Sequence, residues 1–387
     1  MKHIILSTQV SAFAVAASLA LTAGSASAQQ AAAQPAAKEG ALGVQNRSIG
    51  YVMVFENRSI YQAKDAKTQC PVALNDGPPE QFKKLYPENG ERTVEGTRLA
   101  WEGELWNPTK KELDVPYYEV QGKVGRGMNL DGKVGPNDYV DPDTGEKGID
   151  NQIYRTVGCT FNYRDGQTST LTPQWRRAAY NIFVIELTDV DSLQNDDDVT
   201  VTTYRGNDRL ITDATGNEYL PGGSQTLDTR WGKRYITAFK GKIKDGVLTT
   251  EAKDLIMPAA SVYAPRDGAP DILYRDMRFQ LNLTDTQANG YMGGYADVWT
   301  WYYHSHKTRD SRHQAYGGTA GPTLYRALMK NADAFPDANG QNTAISTALD
   351  VKFVHVFVQH PGAQVAGMVN HGTQSAEAAA TEARTRE

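Results

Sequence analysis

Two stretches of this sequence carry residue types that could do chemistry. Asn129, Asp131, Asn137, Asp138, Asp141, Asp143, Glu146 and Asp150 place hard oxygen donors in one short segment. Gly132, Gly135 and Gly145 let the backbone bend there, so that carbonyl groups could join them. Calcium takes about six to eight such oxygens in flexible geometry. The EF-hand spacing, D-x-[DN]-x-[DN]-G with Glu at position twelve, is not met. Two readings stand: a calcium site drawn from Asn129, Asp131, Asn137, Asp138, Asp141, Asp143 and Asp150, or a solvated turn region. A second acidic run holds Asp189, Asp191, Asn195, Asp196, Asp197 and Asp198. It could bind a second calcium, and it reads first as a charged turn at a strand end.

The other stretch is rich in imidazole. Six of the 7 histidines fall late in the chain: His304, His306, His313, His355, His360 and His371. On a helix, His306, Asp310 and His313 would share a face; on a strand, His304 and His306 would. A transition metal held by His304, His306, Asp310 and His313 is the chemistry this spacing allows, though it matches no H-E-x-x-H signature. His355, between two phenylalanines, reads as a core residue. Trp299, Trp301, Tyr302 and Tyr303 form a dense aromatic run that could line a ligand site or plug the core. There is no G-x-S-x-G elbow, phosphate-binding glycine loop, dinucleotide fingerprint or C-x-x-C-H haem motif.

The bulk properties set the compartment. The formal net charge of -5 argues against a nucleic-acid partner. Lys2, an apolar stretch from Phe13 to Leu21 and the Ala26-Ser27-Ala28 site read as a signal peptide over residues 1–28. No later apolar run is long enough to span a bilayer as a helix. The expected location is therefore periplasmic or secreted. The only 2 cysteines, Cys70 and Cys159, are expected to pair in that setting.

The elements follow in order. Residues 29–48 are Ala/Gln-rich and read as a flexible linker. Tyr51 to Phe55 is an apolar run suited to a buried strand, and Asp76 with Pro78-Pro79 starts a short helix carrying Phe82 and Leu85. Trp101 and Trp106 follow among turn residues. Gly148 to Val157 reads as one helix of about three turns, with Ile149, Ile153 and Val157 as its stripe. Tyr180 to Leu187 and Val199 to Tyr204 read as strands, and Lys242 to Thr249 as a hairpin turning at Asp245-Gly246. Met277 to Thr284 alternates as a half-buried strand. Ala296 to Arg309 could be helix or strand, Pro322 to Lys330 is helical, and Val351 to Val358 closes the fold as a strand.

Three segments carry a resemblance. CPVALN at Cys70–Asn75, GIDNQIYRTVGC at Gly148–Cys159 and NADAFPDANGQNTAIS at Asn331–Ser346 are similar to motifs of an uncharacterised family of exported bacterial proteins. The resemblance implies export and ties the two cysteines to one feature. It implies no activity, cofactor or catalytic residue.

The expected architecture is a β-rich α+β fold. A β-sandwich-like core would run from about Tyr180 to Leu283 with the Val351 strand, inside a domain spanning 161–361. A cysteine-linked, loop-rich lobe would occupy 49–160, a helical insertion 290–335 and a mobile tail 362–387. The expected function is that of an exported, calcium-stabilised binding or accessory protein of the cell envelope. Its partner would be a small molecule or an envelope protein. The alternative is a metal-dependent hydrolase or oxidoreductase using the late histidines, and a third reading is a structural envelope protein.

Overall fold

The computed structural model describes residues 42–63, 66–75, 117–160, 164, 182–258, 271–307 and 321–362. The expected signal peptide, the 76–86 helix, Trp101, Trp106, Asp310, His313 and His371 lie outside them, as do all but the first residue of the expected tail.

In chain order the strands are β1 (Ser48–Arg58), β2 (Tyr139–Val140), β3 (Lys147–Ile149), β4 (Phe183–Thr188), β5 (Asp196–Arg205) and β6 (Gly223–Thr226). Then come β7 (Thr237–Lys244), β8 (Val247–Thr250), β9 (Lys253–Met257), β10 (Ile272–Leu283), β11 (Gln287–Asp297), β12 (Ala334–Pro336) and β13 (Asn342–Gln359). The helices are α1 (Gln152–Val157), α2 (Val298–Lys307) and α3 (Gly321–Asn331).

The core is a closed antiparallel β-barrel of eight strands, in the order β1-β4-β5-β7-β8-β10-β11-β13, with β13 pairing back onto β1. This overturns the sandwich. Alternating strands fit either architecture, and the difference lies in one long-range pairing that local pattern does not encode. That pairing is extensive: Gly50 faces Val356 and Arg58 faces Leu349 across the seam. Closure also moves β1 out of the expected N-terminal lobe and makes it a stave of the wall. A closed wall leaves no free strand edge to pair with other chains. Three short strands sit off the ring: β6 on β13, β9 on β10 and β12 on β13.

The interior is filled. Tyr51 and Met53 of β1, Phe183 and Ile185 of β4, Phe239 of β7, Met277 and Phe279 of β10 and Phe353 of β13 are all at most 1% exposed. Phe239 and Phe279 meet edge to face at 5.2 Å. The alternation expected over Met277–Leu283 holds, with Met277, Phe279, Leu281 and Leu283 all facing this core. Trp301 and Tyr302 from α2, with Leu324 and Leu328 from α3, join the same cluster. The β7–β8 hairpin turns at Asp245-Gly246, as its sequence requires.

Strand β11 was not legible as a strand. Its barrel-facing positions are Ala288, Gly290, Met292, Gly294 and Ala296, too small to give an apolar period. The reason is close approach: a Cβ on Gly290 would lie 2.1 Å from the Gln280 carbonyl oxygen. Among the described residues no helix is long and apolar enough to cross a membrane.

Candidate functional site

The three motif segments meet around α1. The disulfide joins Cys70 to Cys159 with Cα atoms 5.7 Å apart, as expected from the sequence. Asn75 then ties three segments: its N–H donates to the Cys159 carbonyl at 2.7 Å and its Nδ2 to the Tyr118 carbonyl at 2.8 Å, while its Oδ1 accepts the Tyr118 N–H at 2.9 Å. Gly158 has no room for a side chain, because a Cβ would lie 2.5 Å from both the Tyr154 carbonyl and Val120.

Helix α1 is shorter than its stripe implies, because Gly148 and Ile149 belong to β3. Asn151 is its N-cap, accepting the Tyr154 N–H at 3.1 Å. Its Nδ2 donates to the carbonyls of Ser59 and Arg126 at 2.9 and 2.8 Å. Gln152 Nε2 and Arg155 Nη2 both donate to the Asn137 carbonyl, at 2.9 and 2.7 Å. From the third motif, Asn331 Nδ2 reaches Thr156 Oγ1 at 3.1 Å and Ser346 Oγ accepts the Gln152 N–H at 2.9 Å. These polar side chains hold loops in place.

The acidic loop lies over the outer faces of β11 and β13, where Met128 and Leu130 pack with Tyr295 and Ala344. Its oxygens are largely engaged in turns. Asn129 Oδ1 accepts the Gly132 N–H at 2.7 Å, and Asp131 Oδ1 accepts that of Lys133 at 2.8 Å. Asp138 accepts the Gly135 N–H. Asp141 Oδ1 accepts the N–H groups of Asp143 and Thr144 at 2.9 and 2.8 Å, and Asp143 pairs with Arg126 at 2.9 Å. Asp150 Oδ2 accepts the Leu130 N–H at 2.7 Å. Burial pushes the Asp150 carboxyl up to about 6; the Leu130 N–H opposes this, and the charges of Asp138 and Asp131 reinforce it. Among the described residues no group of three or more His, Cys, Asp or Glu side chains is arranged to hold a metal ion. In the second acidic run Asp196 accepts the Asp191 N–H at 2.6 Å and Lys240 pairs with Asp198 at 2.7 Å, the pattern of a charged turn.

The described histidines are dispersed. His304 and His306 sit on helix α2, two residues apart; the His306 side chain is outside the described ones. His355 lies inside the barrel, 1% exposed, edge-on to Tyr51 and Phe357, with Nδ1 unpartnered. His360 is on the outer wall, its Nε2 2.8 Å from Glu186 Oε2, whose other oxygen accepts from Ser48 Oγ at 3.2 Å. The aromatic run divides as well. Trp301 and Tyr302 are core, whereas Trp299 is 49% exposed and lies parallel to Tyr303. A cleft on the outer wall beside Val52, Leu210, Ile211 and Val356 holds about 10 Å³, roughly the space of one water.

One cluster was missed in the sequence, at the mouth of the barrel where β5 ends and β7 and β10 begin. Arg205, opposite Phe183 and so on the inner face of the wall, is 6% exposed. Its guanidinium lies over the rings of Trp231 and Tyr235, at 5.3 and 5.5 Å from their centroids. Asp228 is gripped by Arg230 through two bonds of 2.8 Å. Tyr235 and Arg234 both bond Asp271, at 3.0 and 2.7 Å. Its members come from three separate stretches, and no motif joins them. The one available signal was an arginine at an inward position of a strand, on the Val199, Val201, Thr203 register.

The chain matches no protein-family model, no curated protein and no solved structure.

Proposed function

We propose that this chain is an exported binding or accessory protein of the cell envelope, that recognition takes place on its outer surfaces and at the barrel mouth, and that calcium steadies the acidic loop. The filled interior carries the reading. Ligand pockets commonly enclose about 300–1,000 Å³, and the space around Phe239, Phe279 and Phe353 is taken by side chains. The three motif segments supply scaffolding around α1, which suits a protein whose task is to present surfaces. Export is supported by the A-x-A segment and agrees with the disulfide. Calcium is supported by Asp150, whose charge is disfavoured by burial and by Asp138 and Asp131, a cost that a bound divalent cation would offset.

The test is a panel of small molecules and envelope components read by tryptophan fluorescence, alongside thermal melts with and without a chelator. The reading expects at least one saturable response and a lower melting temperature on chelation. A flat response across the panel together with unchanged melts would remove it.

A further inference from the structure

We propose that Arg205 and Trp231 form a binding site for a small monocarboxylate at the barrel mouth. This deepens the binding-protein reading and rests on it. Arg205 and its acidic neighbour are mismatched in pairing. Arg205 is an arginine with only 6% of its side chain exposed, yet its one ionic neighbour among the described residues, Asp228 Oδ2, is 3.6 Å from Nε. That is too long for a good charge-assisted hydrogen bond. The reason is competition. Arg230 already spans the Asp228 carboxylate, with Nε on Oδ1 and Nη2 on Oδ2, both at 2.8 Å, and the Arg230 N–H adds a third bond to Oδ1. Among the described residues, Arg205 is left with five N–H donors and no close acceptor.

Burying a guanidinium in that state is costly, and proteins normally pair it. Here the rings of Trp231 and Tyr235, with centroids 5.9 Å apart, lie together on one side of it, and its N–H groups are the part able to bond. Trp231 adds a second donor in want of a partner, because its Nε1 is buried and unbonded. The charges agree with a monoanion. In the ion pairs among the described residues, Arg205, Arg230 and Arg234 stand against Asp228 and Asp271, three cations to two anions. A planar carboxylate matches the guanidinium edge with two parallel bonds. A phosphate dianion would overfill the charge and bring a second negative charge toward Asp228.

Benzoate is the probe, with benzyl alcohol as its neutral counterpart and inorganic phosphate as the competing anion. Binding to the full chain is read by calorimetry and by tryptophan fluorescence. We expect benzoate to bind, benzyl alcohol to bind at least tenfold more weakly and phosphate more weakly than benzoate. Arg205→Met should keep or raise the melting temperature without ligand and lose benzoate binding by tenfold or more. Trp231→Phe keeps an aromatic ring and removes the N–H, so it should weaken benzoate severalfold even if the first variant fails to fold. The site is refuted if wild type does not bind benzoate, if phosphate binds more tightly, or if both variants bind benzoate as wild type does. Absence of benzoate binding while other panel members shift the fluorescence would refute this site alone. Silence across the whole panel would remove the binding reading with it.

Discussion

Inside the barrel, Phe239, Phe279 and Phe353 are almost fully buried among other apolar side chains. Around α1, whose Ile153 and Val157 join the same apolar cluster, polar ties are added on the other side. Asn75, Asn151, Gln152 and Arg155 each bond backbone groups from distant segments, and a disulfide closes the region. The wall draws on the hydrophobic effect, which is non-directional and tolerates substitutions that conserve volume. The loop layer draws on directional bonds to specific carbonyls, where the loss of one donor leaves a buried acceptor unsatisfied. The residues that make these ties lie mostly in 70–75 and 148–159, and Ser346 of the wall strand β13 joins them. A hydrophobic wall can be built from many sequences, whereas a network of polar ties needs particular residues at particular spacings.

The comparison can be broken most forcefully at the disulfide. Cys159→Ser should cost about 4–5 kcal/mol by the chain-entropy account of a loop of 89 residues, measured by denaturant unfolding of the two proteins. Equal midpoints would show that the covalent tie is redundant. Phe279→Ala should cost about 3–5 kcal/mol, because a residue at 0% exposure leaves a cavity the closed wall cannot collapse. Its loss should appear in every probe of the fold at once.

A subtler test uses pH on the loop layer. The Asp150 carboxyl is raised from 3.8 to about 6 in the folded chain, so the folded state binds more protons between those values. Stability should therefore fall as pH rises through that window, by on the order of 2–3 kcal/mol. Asp150→Asn should flatten the profile, and calcium should restore stability at pH 7 in wild type alone. The smallest effect belongs to the wall. Burial lowers the pKa of His355, while the charge of Asp285 raises it. The unfolded chain thus binds the proton first, and stability should fall as pH drops through the ordinary histidine range. His355→Gln should remove that slope; Tyr51 also faces the ring, but its hydroxyl, donating to the Thr284 carbonyl, stays neutral there.

The sequence made some of this legible and hid the rest for physical reasons. Period-two alternation exposed β10 and β13, and Asp245-Gly246 marked its hairpin. The cysteine pair followed from compartment and parity. Barrel closure was hidden because β1 and β13 lie at opposite ends of the described chain. Strand β11 was hidden because Gly290 and Gly294 sit where it presses on β10. The acidic loop was visible as a concentration of oxygens, but spacing alone did not reveal that turn N–H groups already occupy many of them. The Arg205 cluster was hidden because burial decides its meaning, and burial of one arginine cannot be read from its neighbours in sequence.

The most direct test of the contrast between wall and loop layer is native-state hydrogen exchange, before and after reduction of the Cys70–Cys159 bond. The account predicts that amides of 117–160 lose protection on reduction while those of β4, β10 and β13 keep most of theirs. Equal loss in both regions would mean that loop layer and barrel unfold as one unit, which would contradict a self-sufficient wall with a separately tied layer upon it.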